Sequence, residues 1–430
     1  MERGDLPNLL LADEKGIILE HPYLKMVGFD GRESVPIPRE GLVRLPPFSK
    51  LFYLPGVRPV GLDRERGTLE VVEELYVEGR GKIRPCAVAA FLSPGYVRTH
   101  LPAGRPEAHR PLLPLWAYTA AGAYGNRIYG AAFLVEKNPK WDPRNYDDRD
   151  ILPRVKELKR RFPQNRLLRH LSECALSNHC FAAKNLFLGR WEAPVPTSRV
   201  CNAKCLGCLS DQEDERIKSH DRIRFRPSVG EIVALFGPHL AYAPEPIVSF
   251  GQGCEGEPLT EYLLIGEAIE ALRSTTERGV INLNTNGSWP ERIKSLCEAG
   301  LDSLRVSLSS AREPFFNAYH RPLNYTLKDV VEGLKVAKAL GVFTMINYLV
   351  FPGVTDERDE FEALSLLIEE TQVDFIHLKN LCIDPWIYLG ALPSGPSSPM
   401  GLKRFLEALK ERFPNVNFGY FNQVPKGMAQ

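Results

Sequence analysis

The sequence predicts an α/β protein. A partial (β/α)6 TIM-like barrel over 194–390 is preceded by a smaller β-rich α+β domain over 1–150 and a helical connector over 151–193. A linker with a helix/strand extension follows over 391–430. Three observations predict this order: extended runs broken by turn chemistry near the start, a helical period with a basic face from Ile151 to Cys180, and strand-like runs alternating with helical ones after Pro194.

In the first hundred residues, runs such as Lys50-Leu-Phe-Tyr-Leu and Val57-Arg-Pro-Val are separated by Pro55-Gly56 and Gly61. Prolines belong on sheet edges and in loops, so the pairing order is not deducible from sequence. Between Leu112 and Tyr146, Trp116, Tyr118, Tyr124 and Tyr129 alternate with Gly122, Gly125 and Gly130. Tight packing of small residues against rings is the expectation there, with a substrate wall as the alternative. In the connector, Leu158, Phe162, Leu167, Leu168 and Leu171 interleave with Arg154, Lys156, Lys159, Arg160, Arg161, Arg166 and Arg169, and Pro163 divides the pattern into two helices. Such a face is usually solvated, although it could meet phosphate.

After Pro194 the strand candidates are Ala193–Thr197, Ile247–Phe250, Val280–Asn284, Ser303–Leu308, Thr344–Phe351 and Phe375–Leu378. Helical stretches fall near Val229–Phe236, Thr260–Arg278, Trp289–Ala299, Tyr325–Leu340 and Glu360–Glu370. Pro393–Pro399 has the composition of a flexible linker.

Apolar residues make up 44% and charged residues 25% of 430, which excludes extensive disorder and allows two or three cores. A net charge of +1 supplies no global field for nucleic acid or acidic membrane. The Met1 end lacks the basic start and apolar run of a secretory signal, and no apolar stretch is long enough to span a bilayer, so the expected address is cytoplasmic. Nine cysteines in such a chain point to reduced thiols or metal ligands rather than a disulfide framework, and six of them lie between Cys174 and Cys254.

Cys201-Asn-Ala-Lys-Cys205-Leu-Gly-Cys208 places three thiols within eight residues, directly after a predicted strand. A short loop can wrap them around an iron–sulfur cube. A structural zinc would need a fourth protein ligand, and no second cysteine pair or histidine pair follows promptly. Three ligands leave one corner open, which an amino acid's amine and carboxylate can chelate.

The C-x3-C-x2-C spacing after the first strand of a β/α series resembles the signature of the radical S-adenosylmethionine (radical SAM) superfamily. Later strand ends extend the likeness. Gly256-Glu257-Pro258 after the second strand resembles the GGEP element, with Glu255 in place of its first glycine; Asn284-Thr285-Asn286-Gly287 is similar to the TNG element after the third. Ser307 and Ser309 on the fourth strand and Pro352-Gly353-Val354 after the fifth complete the set. Active sites of barrels gather at such strand ends. The resemblance implies a 4Fe–4S cluster on Cys201, Cys205 and Cys208, and SAM contacts at Gly256, Glu257, Pro258, Asn286, Ser307, Ser309 and Gly353. It also implies an electron donor such as flavodoxin or ferredoxin, and a 5′-deoxyadenosyl radical that abstracts hydrogen from a peptide, nucleoside or small-molecule substrate. One departure stands out: Gly207 occupies the place before the third cysteine where the family usually has a bulky residue.

Cys174, His179 and Cys180, with Cys86, are candidates for an auxiliary iron–sulfur cluster or zinc. Buried thiols also pack as apolar groups. Cys254, His320 and Arg321 are the candidate catalytic side chains, since all border the predicted site; Cys382, Asp384 and Tyr388 are weaker candidates after the sixth strand, while Cys297 and His377 read as core. The alternative reading is a non-enzymatic zinc or iron–sulfur module that binds nucleic acid through the basic helix. It leaves Gly256-Glu257-Pro258 unexplained.

Overall fold

The computed structural model describes residues 6–212, 218–394 and 399–424. They form two compact units: 1–137 with 350–362 and 378–412, and 138–349 with 363–377 and 413–430. Segments beyond residue 349 group with the amino-terminal strands, so the boundaries at 150, 193 and 390 do not coincide with this division.

In the first unit the strand Asn8–Ala12 sits centrally, paired antiparallel with Ile18–Met26, Cys86–Phe91 and Thr119–Tyr124. Alternation explains its place. Leu10 and Ala12 join a cluster with Val88, Ala90 and Ala121, while Leu9 and Leu11 pack against Leu24 and Val72, so both faces are buried. The Pro55-Gly56 turn joins two strands that pair with different partners, Lys50–Leu54 with Cys86–Phe91 and Val57–Asp63 with Gly104–Pro106. Trp116 and Tyr118 both pack edge-on against Phe52 at 4.8 and 5.6 Å. The packing role expected of these rings is therefore present.

The second unit opens with three helices, Asp148–Arg161, Arg166–Leu176 and Phe181–Leu188. Asp147 and Asn165 cap the first two with their side chains, and the break between them contains Pro163. Ile151 and Val155 are buried, whereas Arg154, Lys156, Lys159, Arg160 and Arg161 are exposed, giving the solvated basic face.

A seven-stranded sheet follows, its strands neighbouring one another in chain order: Glu192–Pro194, Ile247–Phe250, Val280–Thr285, Ser303–Leu308, Phe343–Val350, Phe375–Asn380 and Asn417–Gly419. The first five strands pair in parallel, as do the last two, and the third strand is buried throughout, as expected of a sheet wrapped by helices. Six predicted strands thus gain a seventh, too short to declare itself. The helices between the first six strands are Val229–Tyr242, Tyr262–Arg273, Pro290–Glu298, Leu327–Ala339 and Arg358–Thr371, with Glu313–His320 as an additional helix the sequence did not predict; Pro385–Ala391 and Leu402–Arg412 fall between the sixth and seventh strands in the chain. The first strand stops at Pro194, before Pro196, which has no N–H to donate. The expected linker falls largely on 395–398, outside the described residues. No helix among the described residues is long and apolar enough to cross a membrane.

Candidate functional site

The three cysteines of the triad lie on a loop that leaves the first parallel strand and is clamped from two sides. From the second strand's loop, the Gly256 N–H donates to Ser198 O and the Glu257 N–H to Val200 O, both at 2.8 Å. A Cβ on Gly256 would stand 2.0 Å from Val200 O, so only glycine permits this approach. From the fourth strand's side, Lys204 N–H reaches His320 O at 3.2 Å, Leu206 N–H reaches Tyr319 O at 3.0 Å, and Leu323 N–H reaches Asn202 O at 2.7 Å.

Cys201, Cys205 and Cys208 are free and half-buried. Burial pushes the Cys201 thiol up to about 12 and Cys205 well above the usual range, and neighbouring thiols of the triad add to both. Ionising them therefore calls for a bound cation. A single zinc, with Zn–S near 2.3 Å, would hold tetrahedral thiolates about 3.8 Å apart. Among the described residues, the group with three donor atoms all within 4.8 Å of one another is His170, Cys174 and Cys254, and the triad forms no such group. Three thiols on one short loop are the donor set of an iron–sulfur cluster.

His320 is buried against this loop. Its Nδ1 lies 3.6 Å from Cys205 Sγ, its Nε2 accepts the Ser309 N–H at 3.2 Å, and its ring stacks on Phe316. Burial pushes its pKa down to about 3, so the imidazole is neutral, and an accepting Nε2 leaves the proton on Nδ1, facing the sulfur. Arg321 is exposed and ends its helix in a left-handed conformation, φ 47°. Ser309 Oγ is buried with no hydrogen-bond partner, whereas Ser307 is half-buried.

Two adjacent carboxylates organise the second strand's loop. Glu255, which stands where the sequence likeness has glycine, accepts from Thr197 N–H, Thr197 Oγ1, Ser198 N–H, Gly251 N–H and Gln252 N–H. It thereby fastens the start of the cysteine loop to the turn after the second strand, at a position sequence reasoning passed over as a lost glycine. Burial nevertheless pushes it up to about 6 against those hydrogen bonds. Glu257 accepts from Leu259 N–H at 3.0 Å, from Asn286 N–H at 2.8 Å and from Thr285 Oγ1, and burial pushes it up to about 7. Pro258 opens the short 3-10 turn that follows. Asn286 also donates from Nδ2 to Asn202 Oδ1 at 2.7 Å, joining the third strand's end to the cysteine loop. The structure thus brings Gly256, Glu257, Pro258 and Asn286 together with the triad.

Gly353 belongs to the first unit. Its φ is 76°, and a Cβ there would meet Asp30 O at 2.2 Å, so local backbone packing accounts for this glycine. Asp384 likewise sits in that unit, where it takes two hydrogen bonds from Arg110 at 2.6 and 2.8 Å and caps a helix. Tyr388 is buried against Phe351, and burial raises the Cys382 thiol.

The candidates for a second metal site are rearranged. Cys174 is joined by Cys254 and by His170, which sequence reasoning missed although it precedes Cys174 by four residues on one helix. His179 instead pairs with Asp148 at 3.2 Å, Cys180 caps the following helix, and Cys86 lies in a strand of the first unit. Hydrogen bonding from Cys254, aided by His170, pulls the Cys174 thiol down to about 5, while Cys254 is pushed well above the usual range.

Residues 195–364 match the family model described as the Radical SAM superfamily. That segment, 170 of the 430 residues, is similar to the radical SAM superfamily. Radical SAM proteins use a 4Fe–4S cluster and SAM, and the thiol spacing and the clamped loop are compatible with both. Among curated proteins, the GTP 3′,8-cyclase of Mycobacterium ulcerans (strain Agy99) is 34% identical over 171 residues, covering 40% of this chain and 45% of that protein. GTP 3′,8-cyclase 2 of Mycobacterium tuberculosis (strain ATCC 25618 / H37Rv) is 29% identical over 39% of this chain and 44% of its own length. The match thus spans less than half of these relatives. Among solved structures, SuiB of Streptococcus suis bound to S-adenosylmethionine covers 62% of each chain at 16% identity with a TM-score of 0.38. A radical SAM methyltransferase from Sphaerobacter thermophilus covers 55% of this chain and 68% of its own at 16% identity and the same score of 0.38.

Proposed function

We propose that Cys201, Cys205 and Cys208 hold a 4Fe–4S cluster by three of its irons, and that the chain cleaves SAM reductively to take a hydrogen atom from a substrate. The observation that carries this reading is the three-thiol loop, clamped between the Gly256-Glu257 segment and the end of the helix at His320. When bound, the cluster supplies an electron to the sulfonium of SAM, which parts into methionine and a 5′-deoxyadenosyl radical.

The chain's own groups have assigned tasks. His320 directs its Nδ1–H at Cys205 and so favours the thiolate. Glu257 Oε2 accepts a hydrogen bond from Asn286 N–H and has a lone pair left for an ammonium group. The unpartnered Ser309 hydroxyl supplies a donor and an acceptor for a carboxylate or ribose, and the half-buried Ser307 two residues earlier offers a second hydroxyl. Arg222 lies 3.5 Å from Cys208 Sγ and lines a cleft of about 350 Å³ with Arg199, Lys218 and Arg224. In the same cleft Asp211 pairs with Arg222 and Asp221 with Lys218, and the remaining positive charge of Arg199 and Arg224 suits an acidic electron donor of the flavodoxin or ferredoxin kind, by electrostatic steering. Nine free cysteines suit a reducing, cytoplasmic setting.

Of the peptide, nucleoside and small-molecule substrates considered, a purine nucleotide has outside support, from the relatives named GTP 3′,8-cyclase over the barrel segment. The test is anaerobic reconstitution with iron and sulfide, then reductant and SAM, with and without deuterated GTP. Expected are about four irons bound through the triad, 5′-deoxyadenosine as product, and loss of both in the triple Cys201→Ala, Cys205→Ala, Cys208→Ala variant. A formed cluster that yields no 5′-deoxyadenosine, or a triple variant with full cluster content, refutes the reading. Product that never acquires deuterium from GTP refutes the nucleotide version alone.

A further inference from the structure

We infer that His170, Cys174 and Cys254 form a second metal site, mononuclear and suited to Zn²⁺, apart from the cysteine triad. His170 and Cys174 stand four residues apart on the helix Arg166–Leu176 and so project from one face. Cys254 comes from the loop after the second parallel strand, 80 positions further along the chain. All three side chains are buried, and their donor atoms lie within 4.8 Å of one another, with Cys174 Sγ 3.7 Å from His170 Nε2.

A lone buried thiol packs as a small apolar group, but two thiols and an imidazole nitrogen from separate segments present lone pairs to one small volume. Zinc bonds near 2.3 Å to sulfur and 2.0–2.1 Å to nitrogen put tetrahedral ligand atoms about 3.5–3.8 Å apart, which small side-chain rotations reach from the observed spacing. Thiolate with imidazole is a donor set that zinc accepts readily. Three protein ligands leave a fourth position open, and His170 also lines a cleft of about 570 Å³ with Arg166, Arg169, Glu173 and Arg222, from which water can supply it. The neighbouring Glu255 fastens the same loop to Thr197 and Ser198. Metal bound here would tie the connector helix to the segment that carries Gly256 and Glu257.

The test counts zinc and iron separately in anaerobically purified full-length protein. About one zinc per chain is expected in the wild type. It should persist in the triple Cys201→Ala, Cys205→Ala, Cys208→Ala variant, and fall at least tenfold in Cys174→Ser and in Cys254→Ser. Cobalt added to zinc-stripped wild type should give a thiolate-to-metal absorption band, a readout that does not depend on a variant folding. Wild type that binds neither metal overturns the inference, as do Cys174→Ser and Cys254→Ser proteins that both keep full zinc. Zinc lost from the triple variant but retained by Cys174→Ser would place that ion on the triad, overturning this site and the cluster assignment together. A wild type with zinc and its cluster but no SAM cleavage would leave this site standing and sink only the proposed activity.

Discussion

Replacing Glu255 by glycine would restore the residue that the superfamily's GGEP element carries, yet the structure predicts harm. The carboxylate is 5% exposed and serves as acceptor for four backbone N–H groups and the Thr197 hydroxyl. If water reaches half of those amides in Glu255→Gly, two stay unsatisfied at about 1–3 kcal/mol each, a loss of about 2–6 kcal/mol. Added backbone freedom costs about 1 kcal/mol more. Against this stands relief from burying a charge: a carboxyl pushed from 4.5 to about 6 is held ionised at pH 7.5 at a cost of about 2 kcal/mol. The net is a destabilisation of about 1–5 kcal/mol, or a melting temperature lower by roughly 3–15 °C in a unit of this size. Glu255→Gln, which keeps one acceptor oxygen, should fall between the variant and the wild type. Anaerobic thermal melts followed by circular dichroism, with iron content measured in parallel, provide the assay. A Glu255→Gly protein that melts within 1 °C of wild type with its full iron complement would show that the hydrogen-bond cradle holds nothing together.

Gly256→Ala puts a Cβ 2.0 Å from Val200 O, so the loop should part from residues 198–200, and reconstituted iron should drop to less than about half of wild type. Iron analysis after reconstitution checks this. Ser309→Ala removes a buried hydroxyl that has no partner, so the melting temperature should move by less than about 2 °C while SAM binding, read by equilibrium dialysis, weakens several-fold. A large loss of stability with unchanged SAM binding would contradict the assignment. Burial raises Asp356 from 3.8 to about 6. A raised carboxyl contributes stability that is full below its unfolded value and lost as pH climbs through the folded one, so the melting temperature of the cluster-free protein should decline between about pH 4 and 6.5 on its account. Asp356→Asn should flatten that slope, and an unchanged slope would assign the pH dependence elsewhere.

How much could be read in advance varies with the range of the interaction. Strand and helix order in the barrel followed from local pattern: Val280, Ile281 and Leu283 mark the third strand, and the connector breaks around Pro163. The triad was legible because its three thiols fall within eight residues of one loop, a spacing that is local to the chain. Asn417–Gly419 was not, since a three-residue strand carries no period and exists through its pairing with Phe375–His377.

By itself the chain's order of residues determined the class of fold, the loop that gathers three sulfurs, and the strand ends where their surroundings lie. Tertiary structure alone decided which distant groups share a site. It brought His170 and Cys254 to Cys174 and left Cys180 at a helix cap. It gave Glu255 five donors drawn from two segments, and it set His320, a candidate catalytic side chain, with its Nδ1 beside Cys205. The physical reason is that periodicity and ligand spacing are encoded between near neighbours along the chain. A buried polar contact exists only when two remote backbones are brought within about 3 Å, and no local pattern reports that distance.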